Sequence, residues 1–412
     1  MGSDIRETTL GVLLAFSNGH SSPERADYLP YPVYGSNGVI GRTDTANAEA
    51  GSIVIGRVGS QCGSLYFSRQ PCWVTDNAIR ATALNNNDPR FLFYLLSALE
   101  LNGWRTGSGQ PLLNQDILSH VPANVPPVPE QRAIGGILGA LDDKIELNRR
   151  MNETLEAIAR ALFKSWFIDF DPVRAKTEGR DPGLPADIAA LFPDSFEDSD
   201  LGEIPKGWRV ERLSVAMTFQ GGAQPPASEF ISESCEGYVR LVQIRDFYSS
   251  SHITFVPDTK KLRKFTTDDI MIARYGSSGN AGESSDSLAR ICRGLSGAYN
   301  VALVKVVPHR PIREYLDYFL RSRAFQSVIK GMGARSVQSG FRKEDLDVIS
   351  VVIAPDPVHA AFERFATNTW RRTYANREIS RTLAALRDTL LPKLLSGELR
   401  VEDAERLADE GV

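Results

Sequence analysis

Five glycine- and serine-rich stretches hold the residues best suited to recognition chemistry: YGSNG (Tyr34 to Gly38), GRVGSQCGS (Gly56 to Ser64), RTGSGQ (Arg105 to Gln110), ARYGSSGNAG (Ala273 to Gly282) and GARSVQSGF (Gly333 to Phe341). Arginine, glutamine and asparagine make bidentate hydrogen bonds to guanine and adenine edges, and small residues let a backbone approach a ligand closely. The candidate DNA-reading residues are therefore Ser36, Asn37, Arg57, Ser60, Gln61, Arg105, Ser108 and Gln110 in the first half of the chain. In the second half they are Arg274, Ser277, Ser278, Arg335, Ser336, Gln338, Arg342 and Lys343. Taken singly, each stretch is also an ordinary turn. Their recurrence at corresponding places in both halves is what favours a common purpose.

Nothing comparable points to catalysis. The run Asn124 to Pro129 has prolines but neither the spacing nor the aromatic of a base-methyltransferase strip, and reads as a stiff lead-in to a helix. Gly35-x-x-Gly38-x-x-Gly41 follows no strand of a βαβ unit, and no nucleotide P-loop occurs. His20, His120, His252, His309 and His359 are dispersed without metal-ligand spacing. Cys62, Cys72, Cys235 and Cys292 form no Cys-x-x-Cys pair and read as reduced thiols. No catalytic residue, no metal and no cofactor is expected.

The elements that must hold the loops are clearer. The stretch from Pro127 to Phe167 and the stretch from His359 to Leu399 are long and amphipathic, and one slides over the other without a gap: Pro129 on Pro357, Asn148 on Asn376, Arg149 on Arg377, Leu155 on Leu383 and Leu162 on Leu390. Upstream, LGVLLAFSNG matches LSVAMTFQGG, IVIGRVGS matches IMIARYGS, and LLNQDIL echoes GFRKEDL. The chain is an internal duplication. Each half is read as a globular α+β block, with a curved antiparallel or mixed sheet, followed by a helix of roughly 60 Å at about 1.5 Å per residue.

Seam positions at 3-4 spacing are Ile137, Leu141, Lys144, Asn148, Met151, Leu155, Ile158 and Leu162 in the first helix. In the second they are Phe365, Thr369, Arg372, Asn376, Ile379, Leu383, Leu386 and Leu390. Such stripes predict that the two helices pair antiparallel about a pseudo-two-fold axis, with Asn148 and Asn376 as polar register markers. Pro392 is expected to kink or end the second helix early, with Gly397 as a stop. The expected division is a first recognition domain over 1–128, helices over 129–168 and 357–400, a linker over 169–206, a second recognition domain over 207–356 and a tail over 401–412.

Charge is unevenly placed. Residues 1–128 carry 8 basic and 10 acidic side chains, residues 129–205 carry 9 and 16, and residues 206–355 carry 21 and 15, within a net charge of −4. Only the second block is basic enough to favour phosphate by itself. No run of eighteen apolar residues and no charged-then-apolar leader is present, so a cytoplasmic chain with no membrane partner is expected.

These residues resemble the specificity subunits of type I restriction-modification systems. The resemblance rests on YPVYGSNGVIG (Tyr31 to Gly41), IVIGRVGS, the run from Val125 to Val173, GEIPKGW (Gly202 to Trp208) and LLPKLLSGELRV (Leu390 to Val401), and it covers nearly the whole chain. It implies two tandem α+β target recognition domains that read a bipartite double-stranded DNA site, joined by two long antiparallel helices. It also implies docking of DNA methyltransferase subunits, which bind S-adenosylmethionine, and of a restriction/translocase subunit in a cleaving complex. Gln131, Asn148, Arg149, Leu155, Asn376, Arg377 and Leu383 are the spacer and partner residues implied on the helices. The second helix opens with Asp356-Pro-Val-His359 where the first has Pro129-Glu-Gln131, so its junction is expected to differ. The first block has no lysine and no counterpart of Ile204 to Trp208 before Thr8, so its DNA affinity is expected to come from the assembled complex. From the residues alone, a coiled-coil scaffold that never touches DNA and a self-contained DNA-modifying enzyme stay open.

Overall fold

The computed structural model describes residues 5–106, 112–249, 251–275, 287–333 and 340–410. Ser108, Gln110, Ser277, Ser278, Arg335, Ser336 and Gln338 lie outside them. The two long helices run Val128–Phe167 and Asp356–Leu395. The chain divides into compact units that each take half of both helices: Met1–Arg150 with Ala375–Val412, and Met151–Tyr374. The division differs from a block-then-helix reading because each block buries the helical halves that lie nearest to it.

In the first unit, Leu14–Asn18, Ala78–Ala83, Ile53–Gly56 and Leu65–Phe67 form an antiparallel four-stranded sheet in that order. A second sheet places Tyr31–Gly35 antiparallel to Gly38–Thr43 and parallel to Trp73–Val74, and Arg6–Thr9 pairs with Pro122–Val125. Leu10, Leu13, Ile53, Ile55, Ile79, Phe91 and Leu95 pack with Ile134, Leu138 and Leu141 of the first helix and with Leu383, Leu390 and Leu394 of the second. The helices run in opposite directions: Asp142 pairs with Arg387 at 2.5 Å, and buried Asn148 donates to Asn376 O at 3.5 Å and Ser380 Oγ at 3.3 Å. Asn148 thus faces its own counterpart. Residues after 400 form a helix, Val401–Glu410, whose Ala404 joins the core, where a tail was expected.

The second unit repeats the plan. Met217–Gly221, Leu303–Pro308, Met271–Ala273 and Ile291–Cys292 form the equivalent sheet in the equivalent order. Tyr238–Val242 again has one antiparallel and one parallel neighbour. Asn152 donates to Thr373 O at 3.2 Å and Phe163 meets Phe362 at 6.0 Å, so within this unit too the two helical halves lie antiparallel. Residues 169–206 are no bare linker. They form the helices Asp171–Thr177 and Ala186–Ala189 and the hairpin Phe196–Ser199 with Gly202–Pro205, and they bury Phe170, Val173, Phe192 and Ile204 in the unit's core. Two helices, Arg313–Arg321 and Arg323–Gly333, meet at Ser322, which turns extended and whose Oγ accepts from Phe325 N.

The buried stripe departs from the 3-4 seam. Lys144, Ile158, Phe365, Arg372 and Ile379 are exposed, and Ala159, Phe163, Phe362, Ala366 and Thr373 take the inner face. A straight helix drifts about 20° per heptad, and each half must also meet its own block. The second helix also continues past Pro392 to Leu395. It stops at Gly397 (φ +73°).

One exchange between the copies shows how the blocks are fastened to the helices. Helix Pro89–Ala98 is capped from within by Asp88, whose Oδ1 accepts from Phe91 N at 2.8 Å, and Gly135 of the long helix leaves room for that carboxylate. The equivalent helix begins after Ile312, which cannot cap. Glu363, 228 residues beyond Gly135, supplies the carboxylate instead and accepts from Glu314 N at 3.0 Å and Tyr315 N at 2.8 Å. Burial outweighs those two donors and pushes the Glu363 carboxyl up to about 7. A Cβ at Gly135 would overlap Asp88 and lie 2.9 Å from Phe91 N, whereas one at Gly136 meets nothing within 4 Å. Gly135→Ala is therefore expected to destabilise the first unit by about 1–3 kcal/mol, and Gly136→Ala to stabilise it by about 1 kcal/mol. Urea unfolding of the pair checks this.

The altered junction has the same logic. Buried Gln131 accepts from Asp88 N at 3.1 Å and donates to Asn87 Oδ1 and to Pro126 O, each at 3.0 Å. Its equivalent is His359. Proline 126 has no N–H, but its counterpart Ala354 does, and His359 Nε2 accepts it at 3.2 Å. Stacked on Phe167 and set against Tyr315, His359 is held down to about 4, mainly by burial. The folded pKa lies below the unfolded one, so this stability is fully present above pH ~6.5 and is lost as pH falls through about 4. Glu363, raised to about 7, gains stability over the same fall in pH, so the His359 contribution is read as the difference in unfolding free energy between wild type and His359→Gln, which keeps an acceptor; that difference is expected to shrink by up to about 3 kcal/mol between pH 7.5 and 4.5.

Candidate nucleic-acid interface

In the first unit, the reading candidates cluster at one end of the four-stranded sheet. Arg57 follows the strand Ile53–Gly56; its N–H donates to Asn77 O at 3.0 Å and its carbonyl accepts from Leu113 N at 3.2 Å. Ser36 Oγ donates to the same Asn77 carbonyl at 2.5 Å and accepts from Val58 N at 3.5 Å, drawing in the turn that carries exposed Asn37. Ser60 and Gln61 are exposed on the turn Gly59–Gln61, which folds back so that Gly63 lies against Asn102. Exposed Arg105 follows; its charge pulls the Cys62 thiol down, against the larger upward push of burial.

Arg57 itself is half-buried. Its Nη1 donates to Asp76 O at 3.4 Å, while its buried Nε has no partner among the described residues. Asp76 and Asn77, both exposed, belong to this cluster and were not singled out from sequence. The Asp-Asn turn in Thr75-Asp-Asn-Ala78 was the available signal.

The second unit builds the same bracket. Arg274 N–H donates to Ala302 O at 2.8 Å, and its carbonyl accepts from Phe341 N at 3.4 Å. Val58 bridges to Leu112, and Tyr275 bridges to Gly340. Arg274 Nε donates to Phe341 O at 3.0 Å and the guanidinium lies 5.4 Å from the Tyr275 ring centre. Arg342 and Lys343 follow on the exposed side.

Residues 8–157 match the family model described as the type I restriction modification DNA specificity domain. Two relatives align over both halves. The chain is similar to the type I restriction enzyme HindI specificity subunit of Haemophilus influenzae, 26% identical over 370 residues, covering 76% of this chain and 77% of that one. It is likewise similar to the MjaIX specificity subunit of Methanocaldococcus jannaschii, 25% identical over 322 residues and covering 76% and 69%. Over both halves, then, the chain is similar to type I specificity subunits. The fold agrees: the crystal structure of a type I system S subunit from M. genitalium superposes with a TM-score of 0.66 at 15% identity, covering 95% of this chain and 96% of that one.

Against that family, the helix residues separate by environment. Gln131 and Leu383 are buried inside the first unit. Asn148 and Asn376 are buried between the helices, and Leu155 is half-buried. Arg149 and Arg377 are exposed, Arg149 beside Glu146 at 2.7 Å. Apolar surface remains nearby: Leu147 (53% exposed) and Ile379 (39%) in the first unit, Ile158 (49%) and Phe365 (36%) in the second. Among the described residues, no cluster of His, Cys, Asp and Glu could hold a metal ion, and no helix is long and apolar enough to cross a membrane.

Proposed function

We propose that this chain is the non-catalytic DNA-recognition subunit of a type I restriction-modification complex, each unit reading one part of a two-part double-stranded site. The observation that carries this is the repeated bracket: an arginine at the same sheet end, tied by its own N–H and C=O to the same two neighbouring segments, in both copies. Ser36, Asn37, Ser60, Gln61 and Arg105 accompany Arg57, and Arg342 and Lys343 accompany Arg274. The paired helices set the number of unread bases, and their exposed apolar and arginine side chains receive DNA methyltransferase subunits that carry S-adenosylmethionine. A restriction/translocase subunit joins the same assembly in a cleaving system.

Selection of duplexes from a random pool by the chain assembled with methyltransferase subunits tests the reading. Two conserved blocks at a fixed separation are expected, and removing seven residues from each long helix should alter the separation alone. No enrichment from an intact assembly would leave a scaffold. Methyl transfer to DNA by the chain alone would make it an enzyme.

A further inference from the structure

The second unit contains a cleft of about 460 Å³ between the edge strand Ile291–Cys292 and the helix Arg323–Gly333. Arg290, Arg321 and Lys330 line it, with Gln326 and Phe247, and none of the lining residues is acidic. Its walls are fixed. Arg290 lies 4.2 Å over the Tyr248 ring, Arg321 Nε is held by Asp317 at 2.7 Å, and Gln326 Nε2 donates to Ala289 O at 3.0 Å and Leu320 O at 2.8 Å. Arg290 accepts at its carbonyl from Ala273 N at 2.9 Å, so the cleft begins one residue across from the bracketed Arg274.

The sequence-matched place in the first unit is different in kind. Tyr66 and Phe67 stand where the second unit has Cys292 and Arg293, and the surrounding groove contains Asp142 and Glu146 alongside Arg69, Arg90 and Arg150. Of these two sites, the second unit's cleft has a wholly cationic charged lining and the first unit's groove a mixed one.

We propose that this cleft grips the DNA phosphate backbone beside the half-site read by the second unit, with Arg290 and Lys330 as the phosphate ligands and Arg321 setting the local field. The proposal rests on the DNA-recognition reading and adds an anchor that carries no sequence information. Phosphate contacts fix position and release counterions, whereas base contacts specify. This places sequence-independent affinity in the second unit, in keeping with its 21 basic against 15 acidic residues over 206–355.

The test is duplex binding by the assembled complex across a salt series, with wild type, Arg290→Gln, Lys330→Gln, the double variant and Arg290→Lys. A random-sequence duplex and a duplex carrying the selected two-part site are the probes. Each Gln variant should weaken binding to both duplexes by a similar factor of about 3–10 at fixed salt. The slope of log K against log salt should become shallower by about 0.9 for each phosphate that is no longer neutralised, and Arg290→Lys should restore it. Slopes and affinities equal to wild type in the double variant would overturn the proposal, as would a loss confined to the specific duplex. Failure of the wild-type complex to prefer the two-part site would sink the recognition reading instead, and it would show on a different duplex. Thermal unfolding of each variant confirms that the unit is intact.

Discussion

Arg57→Ala is expected to weaken binding to one half of the DNA site by about 10- to 100-fold and to relax base preference there, and Arg274→Ala to do the same for the other half. The size follows from a bidentate arginine–base pair, about 1–3 kcal/mol of discrimination. Both variants should fold, because the bonds that hold each bracket come from the backbone of residues 57 and 274, which alanine keeps. For Arg57, the substitution even removes a buried Nε that has no partner among the described residues. For Arg274 it deletes one bond to Phe341 O, worth about 1 kcal/mol. Competition binding with duplexes altered in one half at a time reads the result. Loss of assembly with methyltransferase subunits would assign both arginines to structure.

The largest stability effect is expected at Arg293. Its guanidinium pairs bidentately with Glu314 at 2.6 and 2.9 Å, both side chains almost fully buried. It lies 4.1 Å from the Trp370 ring, and its Nε donates to Asp268 O at 3.1 Å. Thr367 Oγ1 also donates to Glu314, so the network ties sheet edge, short helix and long helix together. Arg293→Ala strands the Glu314 carboxylate away from water and should cost about 3–5 kcal/mol. The double variant Arg293→Met with Glu314→Leu should recover most of that loss, because it removes the uncompensated charge along with its partner. The first unit shows an apolar solution at the matching place, where Phe67 and Phe93 meet at 5.7 Å. Chemical unfolding followed by Trp370 and Trp208 fluorescence reads the difference; equal stability of wild type and Arg293→Ala would refute the account of the network.

The duplication, both long helices and the arginine loops were legible because each is written locally: gap-free matches, amphipathic period, and glycine beside arginine. Their ends differ from expectation by only a few residues. What sequence did not reveal depends on partners far apart in the chain. Gly135 and Glu363 occupy one position of the repeat, and their exchange makes sense only once Asp88 and Ile312 are seen opposite them. Ile158, Phe365 and Ile379 fit a heptad seam, yet the inner face is set by the block against which each half-helix packs. Residues 169–206 look like a linker by composition, while Phe170, Val173, Phe192 and Ile204 are spaced to fill a core that only the assembled unit supplies. Arg290 and Tyr248 were not picked out because their stacking crosses 42 positions of sequence.

Base-resolved methylome sequencing of cells with and without this chain, all other subunits present, addresses the central claim most directly. A modified motif in two separated parts, present with the chain and gone without it, is the predicted result. Identical methylomes, or a chain-dependent motif forming one continuous block, would contradict the assignment of one half-site to each unit.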